Sequence, residues 1–145
     1  MTETFDELEV LPWSEISELH EDLFQKQLDY VLSQSDFYQQ KYSGISRTSI
    51  TSLKELPNLP LTTKDELRES LLARPPLGLH AAASLADIVQ IQSSSGTTGM
   101  PTFVAATGQD IETWNSMGAR VFYANGFRPR DWVMHAYAMG RGFVG

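Results

Sequence analysis

The first half of the chain is patterned for helices. Ile16, Leu19, Leu23, Phe24, Leu28, Val31 and Leu32 recur at three- and four-residue spacing and predict one amphipathic helix. Ser14 is placed to cap it, with Glu15 and Glu18 near its positive end. Ser35-Asp36 opens a second, short helix carrying Phe37, Tyr38 and Tyr42, and Gly44 ends it. Residues 43–51 are rich in hydroxyls and predict a loop. Ser52-Leu53-Lys54-Glu55 and Thr63-Lys64-Asp65-Glu66 both have the form of a capping box, with Pro57 and Pro60 between them. The second box opens a helix to about Ala73, with Leu67 and Leu71 on one side, and Pro75-Pro76 stops it. His20 reads as a solvated helix residue, and His80, beyond the Gly78 turn, as an exposed loop residue.

The pattern then changes. Ile88–Gln92 and Thr102–Ala106 read as short strands around a hydroxyl- and glycine-rich stretch. Thr107 or Gly108 begins another helix, with Asp110 and Glu112 in its first turn. Its buried stripe is expected to be Ile111, Trp114, Gly118, Val121 and Phe122, which makes Trp114 a core residue rather than a base-stacking one. Asn125-Gly126 ends this helix, Arg128–Asp131 forms a turn, and Trp132–Tyr137 reads as a strand containing His135. Strand, helix and strand in this order predict a right-handed crossover onto a parallel sheet. Gly140, Gly142 and Gly145 follow at the strand's carboxyl end, where open α/β sheets take ligands. The expected organisation is a flexible acidic lead-in over 1–12, a helical region over 13–83 and an incomplete α/β sheet over 84–145.

Composition narrows the function classes. With a net charge of −7, the 145-residue chain lacks the basic excess of a nucleic-acid or anionic-membrane binder. It has no cysteine, so it holds neither a disulfide framework nor a thiolate zinc site, and this suits a cytoplasmic protein. No apolar run approaches membrane-spanning length, and the first nine residues are acidic, unlike a signal peptide. The carboxylates are scattered over amphipathic helices, with no Ser/His/Asp set or metal-ligand cluster of meaningful spacing.

The stretch with chemistry is Ser93-Ser94-Ser95-Gly96-Thr97-Thr98-Gly99-Met100-Pro101-Thr102. Glycines let successive backbone N–H groups converge on an anion, and hydroxyls add neutral donors without bulk. It is not a Walker A motif, because Met100-Pro101 rather than Lys-Ser/Thr follows Gly99. By composition alone it is either a phosphate nest or a flexible turn between strands.

The order Ser-Ser-Gly-Thr-Thr-Gly-x-Pro-Thr resembles the phosphate-binding loop of adenylate-forming enzymes, and within them the phenylacetate–CoA ligase (aryl-CoA ligase) branch. Phe37-Tyr38, Leu59–Arg68 and Ala136–Gly140 resemble that branch in the same order. The resemblance runs from about residue 13 to the end and covers only the first part of such an enzyme. It implies that Ser94, Ser95, Gly96, Thr97, Thr98 and Gly99 hold the β- and γ-phosphates of ATP. It also implies that Tyr137 and Gly140 border an aryl-acid pocket. The implied reaction joins an aryl carboxylic acid to coenzyme A through an acyl-adenylate, with Mg2+ on the phosphates.

Two features depart from the branch. Met100 and Thr102 stand where these enzymes and the wider superfamily commonly have Lys, so the loop carries no cation and weaker ATP binding is expected. The later motifs for adenine, ribose, magnesium and the catalytic Lys are not among these residues. The chain is therefore expected to be an N-terminal fragment that is inactive alone, able to self-associate or to pair with a missing C-terminal portion. The competing class is a non-catalytic nucleotide-binding or protein-interaction remnant.

Overall fold

The computed structural model describes residues 4–93, 103–134 and 136. Its helices follow the apolar spacing. Helix α1 spans Trp13–Gln34 and turns at Ser35 into α2, Asp36–Lys41. Along α1 only Leu28 is fully buried, Leu23 is exposed, and the rest of the predicted face is half-covered by α2 and the turn Leu53–Asn58. The stretch 43–51 is not all loop. Arg47–Ser49 forms a single 3-10 turn that places Ile50 in the core. Arg47 fixes this turn, donating to Asp29 Oδ1 (2.6 Å), Gln25 Oε1 (2.6 Å) and the Ile50 carbonyl (2.7 Å).

Both predicted capping boxes form. Ser52 and Glu55 cap a 3-10 helix rather than an α-helix, with Pro57 inside it. Thr63 and Glu66 cap α3, Lys64–Ala73, which buries Ser70 and Leu71. After the cis Pro75–Pro76 bond, Gly78 adopts φ +85° and folds the chain back over α3.

The sheet is one antiparallel hairpin. Strand β1, Ile88–Ser93, pairs with β2, Phe103–Thr107, from Ile88↔Thr107 to Ser93↔Phe103, with an irregularity between Ile88 and Gln90. Helix α4, Gly108–Ala124, starts directly from β2 through a third capping box, Thr107 with Asp110. Asn125 and Gly126 (φ +92°) end it.

Three expectations change. The strand over 132–137 is not formed at the described residues 131–134 and 136. A strand needs a ladder partner, and Trp132 and Met134 stand 100% and 94% exposed. The parallel crossover it implied is likewise not seen among the described residues, where the pairing is antiparallel. The stripe of α4 is half-covered only at Ile111 and Gly118; Trp114, Val121 and Phe122 are exposed, so Trp114 is not a core residue of these 145 residues.

Residues 5–10 of the acidic lead-in contact α4. Asp6 caps a 3-10 turn, Glu7–Val10, and this turn docks on α4. Arg120 pairs with Asp6 (2.9 Å) and Glu9 (3.6 Å), and the Phe5 and Tyr123 rings lie 5.6 Å apart.

Candidate functional site

The hairpin positions the hydroxyl- and glycine-rich stretch. The predicted phosphate contacts Ser94, Ser95, Gly96, Thr97, Thr98 and Gly99 lie outside the described residues, as do Met100, His135, Tyr137 and Gly140. The described structure gives their anchors. Ser93 and Phe103 face each other as the last ladder pair, with Gln92 and Val104 behind them. The nine residues 94–102 thus connect two paired strand ends. Gln92 carries a buried Oε1 without a hydrogen-bond partner one residue before Ser93. That is an acceptor with capacity for a donor beside the loop.

Below the hairpin, a cavity of about 220 Å³ separates it from the helices. Tyr30, Leu77, His80, Ile88, Phe103 and Asp110 line it, so residues of both strands and of the segment that follows α3 face the same cavity. That segment is held by backbone carbonyls. The Ser35 hydroxyl is shared between the carbonyls of Leu79 and His80 (3.3 Å each), and Tyr30 Oη donates to Ala82 (3.1 Å). His80 is not the exposed loop residue its neighbours suggested. Gly78 returns it to Ser70, where its ring is half-buried and Nδ1 lies 2.8 Å from Ser70 Oγ. Burial pushes the imidazole below its ordinary value. His20, by contrast, is exposed, its ring edge-on to Trp13.

Between α2 and α3 a second cavity, of about 400 Å³, is walled by Phe37, Lys41, Glu66 and Ser70. Lys41, almost buried, pairs with Glu66, and its Nζ sits 5.6 Å from the Phe37 ring centre. The Lys41 ammonium, then the Thr63 N–H and hydroxyl, hold the Glu66 carboxyl down at about 2. Thr63 therefore acts as a helix cap in a structural ion-pair network, as its sequence context suggested. Sequence reading missed Ser35, Lys41, Ser70 and His80. The available signal was Pro75-Pro76 followed by Gly78, a turn able to return the next residues onto α3.

The described residues offer binding surfaces rather than reacting groups. Among them no three His, Asp or Glu converge to hold a metal. Ser70 and His80 have the spacing of a nucleophile and base, but Ser70 is 4% exposed and its oxygen also accepts the His80 backbone N–H (3.0 Å). Its hydroxyl closes the chain. No helix among the described residues is long and apolar enough to cross a membrane.

No protein-family model matches the chain. It is 32% identical over 136 residues to a phenylacetate–coenzyme A ligase of Thermus thermophilus, covering 92% of this chain and 29% of that protein. It is 31% identical over 137 residues to the Escherichia coli enzyme of the same name, covering 93% and 30%. Among solved structures, it superposes with a TM-score of 0.77 and 28% identity on 2-hydroxyisobutyryl-CoA ligase bound to 2-HIB-AMP and CoA, over 83% of this chain and 26% of that one. The open conformation of that ligase superposes with a TM-score of 0.75. The chain thus spans under a third of the length of the curated relatives it matches.

Proposed function

This chain is homologous, over nearly its whole length, to the phenylacetate–CoA ligase branch of the adenylate-forming enzymes, matching an N-terminal portion of them, and we propose that it carries the ATP phosphate-binding loop of a cytoplasmic aryl-acid–CoA ligase. The observation that carries the proposal is the match over 92% of the chain, which includes the Ser-Ser-Gly-Thr-Thr-Gly stretch between two paired strands. Ser94, Ser95, Thr97 and Thr98 would supply hydroxyls, and Gly96 and Gly99 close backbone approach, to the β- and γ-phosphates. These groups are neutral donors, so their contribution is to fix the orientation in which pyrophosphate leaves the α-phosphorus of ATP as the aryl carboxylate attacks it to form the acyl-adenylate. Magnesium, when bound, would spread the phosphate charge. Coenzyme A is the second substrate of the full reaction. Tyr137 and Gly140 are proposed to border the acid.

These 145 residues hold under a third of the relatives' length, so we expect them to bind Mg-ATP without forming acyl-adenylate alone. The exposed face of α4 favours a second reading, a binding module that associates with itself or with further ligase polypeptide. Calorimetry of Mg-ATP against the wild type, Thr97→Val with Thr98→Val, and Met100→Lys tests the loop. The double variant should lose most of the affinity, and Met100→Lys should raise it. No ATP binding by any of the three, or equal binding by all, would overturn the loop assignment. Pyrophosphate exchange with phenylacetate, measured after the remaining ligase polypeptide of a relative is added, then separates the readings: a ligase portion should gain exchange, and a binding module gives none.

A further inference from the structure

The segment that leads into the hairpin is closed over a single imidazole. At Gly78, with φ +85°, an added Cβ would meet the His80 ring at 2.6 Å and Ser70 Oγ at 3.0 Å. The glycine is thus what allows His80 to lie over the end of α3. Ser70 Oγ accepts the His80 backbone N–H (3.0 Å) and lies 2.8 Å from Nδ1. With the ring neutral and its proton on Nε2, the Ser70 hydroxyl donates to Nδ1, and one side chain satisfies both groups. The same few residues tie three elements together. Leu79 N–H donates to the Ser70 carbonyl (3.2 Å), and the Leu79 carbonyl accepts from Phe37 N–H (3.1 Å) and from the buried Ser35 hydroxyl.

We propose that Ser70 and His80 form a pH-sensitive latch: neutral His80 holds residues 77–83 against α1, α2 and α3, and its protonation releases this segment and loosens β1, into which it leads. A proton on Nδ1 removes the acceptor of the Ser70 hydroxyl: Oγ can take Nδ1–H on its second lone pair, but its own proton must then turn away inside a buried site. It also places a charge in a half-buried site edge-on to the Phe37 ring, 6.5 Å away.

The charges around the ring do not compensate. Asp36 of α2 is paired with Arg74 of α3, and Lys41 of α2 with Glu66 of α3, whose neighbour Glu69 lines the same cavity. From α1 come only the Tyr30 phenol and Ser35, both donating to carbonyls. Across the small cavity, Asp110 of α4 accepts from Thr107 N and Oγ1 (2.8 Å each). Burial dominates and holds His80 below its ordinary value. The unfolded chain then binds the proton more readily than the folded one. The latch is complete above the ordinary histidine value of 6.5 and weakens as pH falls below it.

Amide exchange and imidazole resonances of the 145-residue chain, followed by NMR between about pH 7.5 and 5.5, test this. The His80 ring resonance is assigned by its loss in His80→Asn, a variant that keeps an acceptor for Ser70. In the wild type the ring should titrate below 6.5, and protection of the Leu79 amide, corrected for intrinsic exchange, should fall by up to about tenfold at the acid end. His80→Asn should keep protection flat. Ser70→Ala should show low protection throughout with no pH dependence. Titration of His80 at or above 6.5, an equal acid loss in His80→Asn, or a persisting pH dependence in Ser70→Ala would each overturn the latch.

Discussion

Glu66 shows how much one side chain organises in this fold. It closes the capping box of α3 by accepting from Thr63 N (2.7 Å) and Oγ1 (3.0 Å), and it also pairs with Lys41 of α2. Its carboxyl is held at about 2, against an ordinary 4.5. A depressed carboxylate contributes stability that is complete above the unfolded value and lost as pH falls towards the folded one. The contribution of Glu66 should therefore disappear between pH 4.5 and about 2. Glu66→Gln should be less stable than the wild type near neutrality, and the gap between the two urea midpoints should close across that acid window. Parallel midpoints from neutral to acid pH would show that Lys41 and Thr63 do not act through the charge. Ser35 and Ser70 meet the same demand with neutral hydroxyls, because each partners a backbone group of the Leu79–His80 segment.

At the scale of elements, what was legible in the sequence is what short-range chemistry decides. The boxes expected at Ser52 and Thr63 are set by residues three apart, and both form, as does the helix start expected at Thr107 or Gly108. Each described strand runs one residue past its expected end, β1 to Ser93 and β2 to Thr107, because their alternation and the turn residues between them are local too. The strand expected over 132–137 depended on a neighbour elsewhere in the chain, and sequence alternation cannot supply that neighbour. His80 was misread for a similar reason, since its partner Ser70 lies on a different element. The candidate site was legible only as a motif; its residues fall outside the described structure, while the hairpin that carries them does not. The Thr107 cap joins that hairpin to α4 without a connecting residue. Thr107→Ala should cost about 1 kcal/mol in chemical denaturation, and Thr107→Ser should restore most of it. An unchanged Thr107→Ala midpoint would mean that α4 is held by its contact with residues 5–10 instead.

The whole molecule buries little. Leu28, Ile50, Leu71 and Leu77 are the fully buried apolar side chains among the described residues. Part of the uncovered apolar surface lies on one face of α4, where Trp114, Met117, Gly118 and Val121 border an open groove of about 520 Å³. Gly118 lies between the larger side chains, and an added Cβ there would meet nothing within 4 Å, so another surface can approach the helix backbone closely. Covering this face would remove apolar area from water at roughly 25 cal/mol per Å², a gain that association sets against lost translational and rotational freedom. Sedimentation velocity of the 145-residue chain should show concentration-dependent self-association. Met117→Lys with Val121→Lys should shift it to monomer while leaving Mg-ATP binding unchanged, because these positions lie on the helix and not in the loop. A wild type that stays monomeric at every concentration, or a double variant that associates as the wild type does, would mean that this face does not mediate self-association. Loss of Mg-ATP binding in a monomeric double variant would mean instead that the covered face is needed to shape the loop, and that binding and association are one property of the fold.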